Sequence, residues 1–158
     1  MEQFMTSFHN DKSAARPLAY ASAVIRGDRI GPEYWNAYFG ICPNAHFVEK
    51  GKHWITRSGK QSSSPGQSNV WGYSTKGVMT NDFLAPHLLH LISVLGLPRP
   101  DLKSLIEDKR LAFQVSCFWW NPAKTRVTVI EPNLEDIINK SGGTLFIDEY
   151  PCDISIDE

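Results

Sequence analysis

Leu111 to Tyr150 reads LAFQVSCFWWNPAKTRVTVIEPNLEDIINKSGGTLFIDEY. Its pattern is strand, turn, strand, helix, strand. Leu111 to Trp120 is a run of apolar, β-branched and aromatic residues closed by the turn-forming Asn121-Pro122. Thr125 to Ile130 alternates Thr and Val as a half-buried strand does. Leu134, Ile137 and Ile138 form a helical stripe stopped by Gly142-Gly143, and Leu145 to Tyr150 returns as a last strand. The architecture can be read from this stretch, but no residue set in it fixes a reaction.

Outward from it, the rest of the chain supplies the partners of these elements. Leu18 to Arg26 reads as the first strand, with Ala19, Ala21, Ala23 and Ile25 forming a small-residue face suited to packing under a helix. Pro32 opens a short helix whose apolar side is Trp35, Tyr38 and Phe39, and Gly40 stops it. Ile41 to Trp54 is expected to hold a short strand on either side of a Lys50-Gly51-Lys52 turn. Ser58 to Asn69 is polar and rich in Ser and Gly, which predicts a flexible loop with nothing to bury. Val70 to Thr75 is a strand. Asn81-Asp82 offers an N-cap for a helix over Phe83 to Leu95, with Leu84, Leu88, Leu91, Ile92 and Leu95 on its buried face. Pro98 and Pro100 separate it from a second helix, Asp101 to Lys109.

These elements predict one α+β domain over 18–150, preceded by a loosely held segment 1–17 and followed by an acidic tail 151–158. The sheet is expected to be antiparallel-rich but mixed, with five to six strands and helices mainly on one face. Its β-α-β elements joined by hairpins match ferredoxin-like units. A chain of 158 residues, 42% hydrophobic and 21% charged, is large enough to bury a core without a metal or disulfide. Cys42, Cys117 and Cys152 are an odd set without CxxC spacing. Two sit in or beside apolar segments, so buried free thiols in a reducing, cytoplasmic compartment are expected. No stretch approaches the roughly 18 apolar residues of a membrane span, so no membrane partner is expected.

Charge is distributed unevenly. Fifteen bases and nine acids precede Glu131, whereas from Glu131 onward Lys140 is the one base against eight acids. Glu131, Glu135, Asp136, Asp148, Glu149 and Asp153 would steer a basic partner to that end and repel nucleic acid from it. The plainer reading of the same residues is a solvated acidic surface.

An ordered set of short marks resembles the uncharacterised family called domain of unknown function 4279. The marks are Ile25-Arg26-Gly27-Asp28, Pro32-Glu33, Phe39-Gly40-Ile41-Cys42-Pro43, and Gly51 with Trp54. They continue with Trp71-Gly72-Tyr73-Ser74-Thr75, the helix His87 to Leu95 and Ile147-Asp148-Glu149-Tyr150. The likeness covers roughly Leu18 to Tyr150. Asn44 stands where a threonine is more usual, and Glu149 interrupts an ending that is usually more apolar. The resemblance implies an α+β domain, mainly bacterial, with no established activity. Some relatives are encoded beside toxin modules, which implies immunity proteins that bind and block a toxin. It carries no catalytic residue.

Residues with chemical potential have bland alternatives. His87 and His90, i and i+3 on a helix, can share a metal ion but lack a third ligand, and a helix edge with ordinary histidines is the plain reading. His46, His53 and Cys42 match no zinc spacing. Cys117 is in phase with Phe113, Val115 and Trp119, which makes it core rather than nucleophile. Asp148 and Glu149 are neighbours on a strand and face opposite sides, so they cannot act as one acid–base pair. No catalytic residue, metal or cofactor is therefore expected.

Lys50, Lys52, His53, Trp54, Arg57 and Lys60 mix cations with an aromatic as single-stranded nucleic-acid sites do, but a sequence pI of about 6.5 disfavours such a partner. Trp54 is better read as an anchor with lysine stems at its margin. Trp119 and Trp120 must face opposite sides of the sheet, which leaves Trp120 for a covering helix or a partner. Three functions follow. The first is a non-enzymatic module, monomeric or weakly dimeric, that binds a basic protein partner such as a toxin domain through the acidic edge. The second is a small-molecule or nucleic-acid-binding domain using 50–60 and Trp120. The third is an enzyme whose pocket the sequence conceals.

Overall fold

The computed structural model describes residues 17–56, 58–122 and 130–150. Most of the expected strand Thr125 to Ile130, the segment 1–16, the tail 151–158, Arg57, Cys152 and Asp153 lie outside them. The described chain forms five strands, β1 (Ala19–Arg26), β2 (His46–Val48), β3 (Val70–Ser74), β4 (Ala112–Trp120) and β5 (Gly143–Tyr150). Its helices are α1 (Glu33–Phe39), α2 (Leu84–Leu95), α3 (Pro100–Asp108) and α4 (Pro132–Lys140).

The strands make one sheet in the order β2-β3-β1-β4-β5, antiparallel throughout except for the parallel pair β4–β5. Helix α4 is the crossover that a parallel pair requires. Strands β1 and β2 are also parallel to each other but stand either side of β3, so β1-α1-β2 is a split β-α-β unit of the ferredoxin-like kind. The sequence supplies period-2 patterns for β1 and β4, and the register aligns them. Ala21 faces Cys117, Ala23 faces Val115 and Ile25 faces Phe113, all buried.

All four helices contribute to the core on that side. The alanines of β1 admit Leu84, Leu88, Leu91 and Leu95 of α2, each essentially inaccessible. From α1, Trp35 and Phe39 enter the same core; Phe39 stacks on Trp71 of β3, and the Trp71 indole donates to Asn36 Oδ1 at 2.9 Å. Leu102 and Ile106 of α3 and Leu134 and Ile138 of α4 close it. Gly96 ends α2 in the left-handed conformation (φ 68°), where glycine has no Cβ to strain. Gly143 is required for space instead. A Cβ there would meet Ile138 Cγ2 at 2.8 Å and the Phe113 ring at 2.9 Å.

Three expectations need correction. The stretch Ser58 to Asn69 is not a loop with nothing to bury. Ser62 and Asn69 are buried, and Asn69 ties the loop to the turns after β2 and β1 by accepting from Lys50 N (2.7 Å) and donating from Nδ2 to Asp28 O (3.3 Å). The Ser62 hydroxyl accepts from Trp54 N and donates to Ser64 O. Order here comes from hydrogen bonds to backbone, which hydropathy does not register. Likewise, no full strand follows the Lys50-Gly51-Lys52 turn; single bridges Lys50–Gly66 and Ile55–Gln61 stand in its place. Finally, Cys42 is exposed rather than buried, because the turn after α1 carries it to the surface.

Candidate functional site

The described helices all pack on one side, so among the described residues no helix covers the other sheet face. It presents the out-of-phase residues of each strand: Tyr20 and Ser22 on β1, Ser116, Phe118 and Trp120 on β4, Phe146, Asp148 and Tyr150 on β5. Register sets their spacing. Tyr20 is opposite Phe118, and Phe118 is opposite Asp148. Tyr20 and Phe118 stack with ring centroids 5.1 Å apart, and Phe118 and Tyr150 follow at 5.2 Å. Three strands therefore contribute to one aromatic row.

The row borders a shallow cavity of about 490 Å³ whose lining includes Ser22, Ser116 and Phe146. Phe146 is 50% exposed, and Ile147 on the opposite face is 46% exposed. Both follow from geometry: β5 is the edge strand among the described residues, and the nine-residue α4 reaches about 14 Å along a strand of about 26 Å. Asp148 rises between Phe146 and Tyr150 and accepts the Tyr150 hydroxyl at 2.7 Å. That hydrogen bond, and then the carboxylate charge, push the Tyr150 phenol above its usual range.

The acidic residues named above are sorted by the crossover. Helix α4 ends where β5 begins, so its first turn and the last residues of β5 approach the same end of the sheet. Glu131, which precedes α4 as its N-cap, and Glu135 and Asp136 on the helix are exposed, with Asp136 paired to Lys140 at 3.1 Å. Asp148 and Glu149 lie on opposite faces as alternation demands; Glu149 accepts from Asn121 Nδ2 at 3.2 Å. Among the described residues Glu131, Glu135, Asp148 and Glu149 have no ion pair.

The basic segment is arranged differently. Lys50 pairs with Asp28 at 2.8 Å, and Lys52 with Glu49 at 3.3 Å. The Lys50 hydrogen bond, followed by that of Ser68, lowers the Asp28 carboxyl below its usual range. His53 Nδ1 lies 2.8 Å from Ser62 O. Half-buried Trp54 lines a cavity of about 430 Å³ with His46, Phe47 and Ile55, but Lys50, Lys52 and His53 do not line it. Among the described residues, Lys50, Lys52 and His53 thus do not share that groove with the tryptophan.

His87 is not at a helix edge but fully buried. Its Nε2 is 2.8 Å from Asn81 O, a pure acceptor, so Nε2 carries the proton and Nδ1 accepts from the Thr75 hydroxyl at 2.7 Å. The Thr75 oxygen in turn accepts Ala21 N–H at 2.9 Å. His90 is engaged separately, 3.3 Å from the Tyr73 hydroxyl. Among the described residues no group of three or more His, Cys, Asp and Glu side chains could hold a metal ion.

Burial pushes the Cys117 thiol up to about 12. Its thiolate fraction at neutral pH is then roughly 1,000-fold below that of an ordinary thiol. Iodoacetamide at pH 8 is expected to alkylate Cys42 in the native protein within minutes and Cys117 only after denaturation, as read by peptide mass. Equal labelling of both without denaturant would contradict the burial.

No family model, curated protein or solved structure matches this chain. Function therefore rests on the geometry.

Proposed function

We propose that this chain is a non-enzymatic protein-binding module that presents the acidic end of its sheet to a basic partner. In its most concrete form, drawn from the family resemblance, it is a bacterial, cytoplasmic immunity protein that occludes a basic toxin domain, acting as a monomer or weak homodimer. The observation that carries the reading is the contrast in pairing. At the α4–β5 end the carboxylates of Glu131, Glu135, Asp148 and Glu149 have no counter-ion among the described residues, whereas Lys50 and Lys52 of the basic segment are already neutralised. Unpaired charge of one sign steers association; paired charge does not. The uncovered aromatic face beside that end supplies the apolar contact that a charged rim lacks. No described helix is long and apolar enough to cross a membrane.

The test uses the product of the adjacent reading frame as partner. Reversing Glu135, Asp136, Asp148 and Glu149 to Lys together is expected to slow association roughly 10–100-fold at low salt and to flatten its salt dependence. Circular dichroism should stay unchanged. Unaltered binding by the folded quadruple variant would end the proposal.

A further inference from the structure

We infer that the notch formed by Phe118, Phe146, Asp148 and Tyr150 on the uncovered face receives an arginine side chain of the partner protein. The inference rests on the protein-binding reading above and names its point of contact.

The chain contains a filled version of the same arrangement. On the helical side the Tyr38 hydroxyl donates to Asp101 Oδ2, and the Arg99 guanidinium lies over the Tyr38 ring, 4.6 Å from its centroid. A tyrosine hydroxyl bonded to a carboxylate, with a guanidinium on the ring, is a self-consistent set. The carboxylate orients the phenol, the ring face attracts the cation, and the planar guanidinium can stack there as an ammonium cannot. Tyr150 and Asp148 repeat the first two parts, at 2.7 Å, and lack the third among the described residues. The opposite end of the aromatic row is also filled from within, since Lys76 Nζ sits 5.1 Å from the Tyr20 ring centroid. The row thus has a cation at the Tyr20 end, while its Tyr150 end offers a carboxylate and an exposed phenylalanine.

Three features of the notch select the occupant. Asp148 is exposed, with one oxygen committed to Tyr150, so it can accept a further charged donor without a large desolvation cost. Phe146 and Phe118 flank it along and across the sheet, giving apolar walls for a methylene stem. Ser22, whose hydroxyl donates to Ser74 Oγ at 2.8 Å, and Ser116 line the same cavity. A phosphate or carboxylate ligand would be repelled by Asp148. A wholly apolar ligand would leave that carboxylate without a charged partner.

A blocked tetra-arginine peptide, with blocked tetra-lysine and tetra-citrulline peptides beside it, tests the assignment by titration into the labelled full chain at low salt. The arginine peptide is expected to shift Phe118, Phe146, Asp148 and Tyr150 resonances saturably. Citrulline, which keeps the shape without the charge, should bind at least tenfold more weakly, and lysine several-fold more weakly. Asp148→Asn, which keeps an acceptor for Tyr150, should weaken arginine at least tenfold. Shifts confined to Glu131 and Glu135, or equal affinity for arginine and lysine, would overturn the notch. So would indifference to Asp148→Asn. The two proposals fail separately: a partner that is lost on the fourfold reversal but tolerates Asp148→Asn and Phe118→Ala removes the notch alone. A partner that tolerates reversal of Glu131, Glu135 and Glu149 with Asp148 left in place, yet is lost on Asp148→Asn, removes the acidic-end reading and leaves the notch.

Discussion

Replacing His87 by alanine is expected to cost the fold about 3–5 kcal/mol, a large part of the roughly 5–15 kcal/mol that holds a domain of this size together. Two losses combine. Removing a fully buried ring leaves a cavity, and it leaves Asn81 O without this donor and the Thr75 hydroxyl without this acceptor. Because Thr75 also satisfies Ala21 N–H of the central strand, the damage reaches the sheet. Thr75→Val keeps the shape but strands both Ala21 N–H and His87 Nδ1, and should cost about 1–3 kcal/mol. Thr75→Ser should fall near the wild type. Urea unfolding read by circular dichroism checks the series. A double variant no worse than His87→Ala would show that the two side chains act through one network. A midpoint unmoved by His87→Ala would mean that the chain of hydrogen bonds holds nothing.

Trp71→Ala is the second severe case, at about 3–5 kcal/mol. The indole is 1% exposed, stacks on Phe39 with centroids 5.2 Å apart, and so links α1 to the sheet. Its Nε1 bond to Asn36 makes phenylalanine an incomplete substitute, so Trp71→Phe should lose about 1–2 kcal/mol. The comparison separates ring volume from hydrogen bond. Should both variants unfold at the wild-type urea concentration, α1 is not anchored through Trp71.

The difference between these residues and the candidate site shows what a sequence discloses. Alternation in Ala19 to Ile25 and in Phe113 to Trp119 exposes both central strands, because one face of each is uniformly apolar. The leucine stripe of α2 is equally plain, and His87 lies within its arc, three residues from Leu84; placing it on that face was open to a reader of the spacing. What its imidazole bonds to was not, since Thr75 and Asn81 are brought to it by tertiary structure. The loop 58–69 escaped for the same reason, its order arising from Asn69 and Ser62 acting on backbone many positions away. Trp120 pointed to the uncovered face from its phase opposite Trp119. Phe118 shares that phase and carried the same signal. That Tyr20, Phe118 and Tyr150 line up depends on strand order, with β4 between the other two, and no local pattern encodes order.

The position of β1 in the sheet has a consequence during synthesis. Ala19 pairs with Trp119, a hundred positions downstream, and Ser22 with Ser74, so the central strand leaves the ribosome well before either neighbour exists. Such distant contacts must close large loops before they return any stability, which makes for late, slow assembly. A strand obliged to wait is a hazard when its side chains are sticky. Here three of the four inward residues are alanines, so the waiting ribbon offers nascent-chain aggregation little to grip.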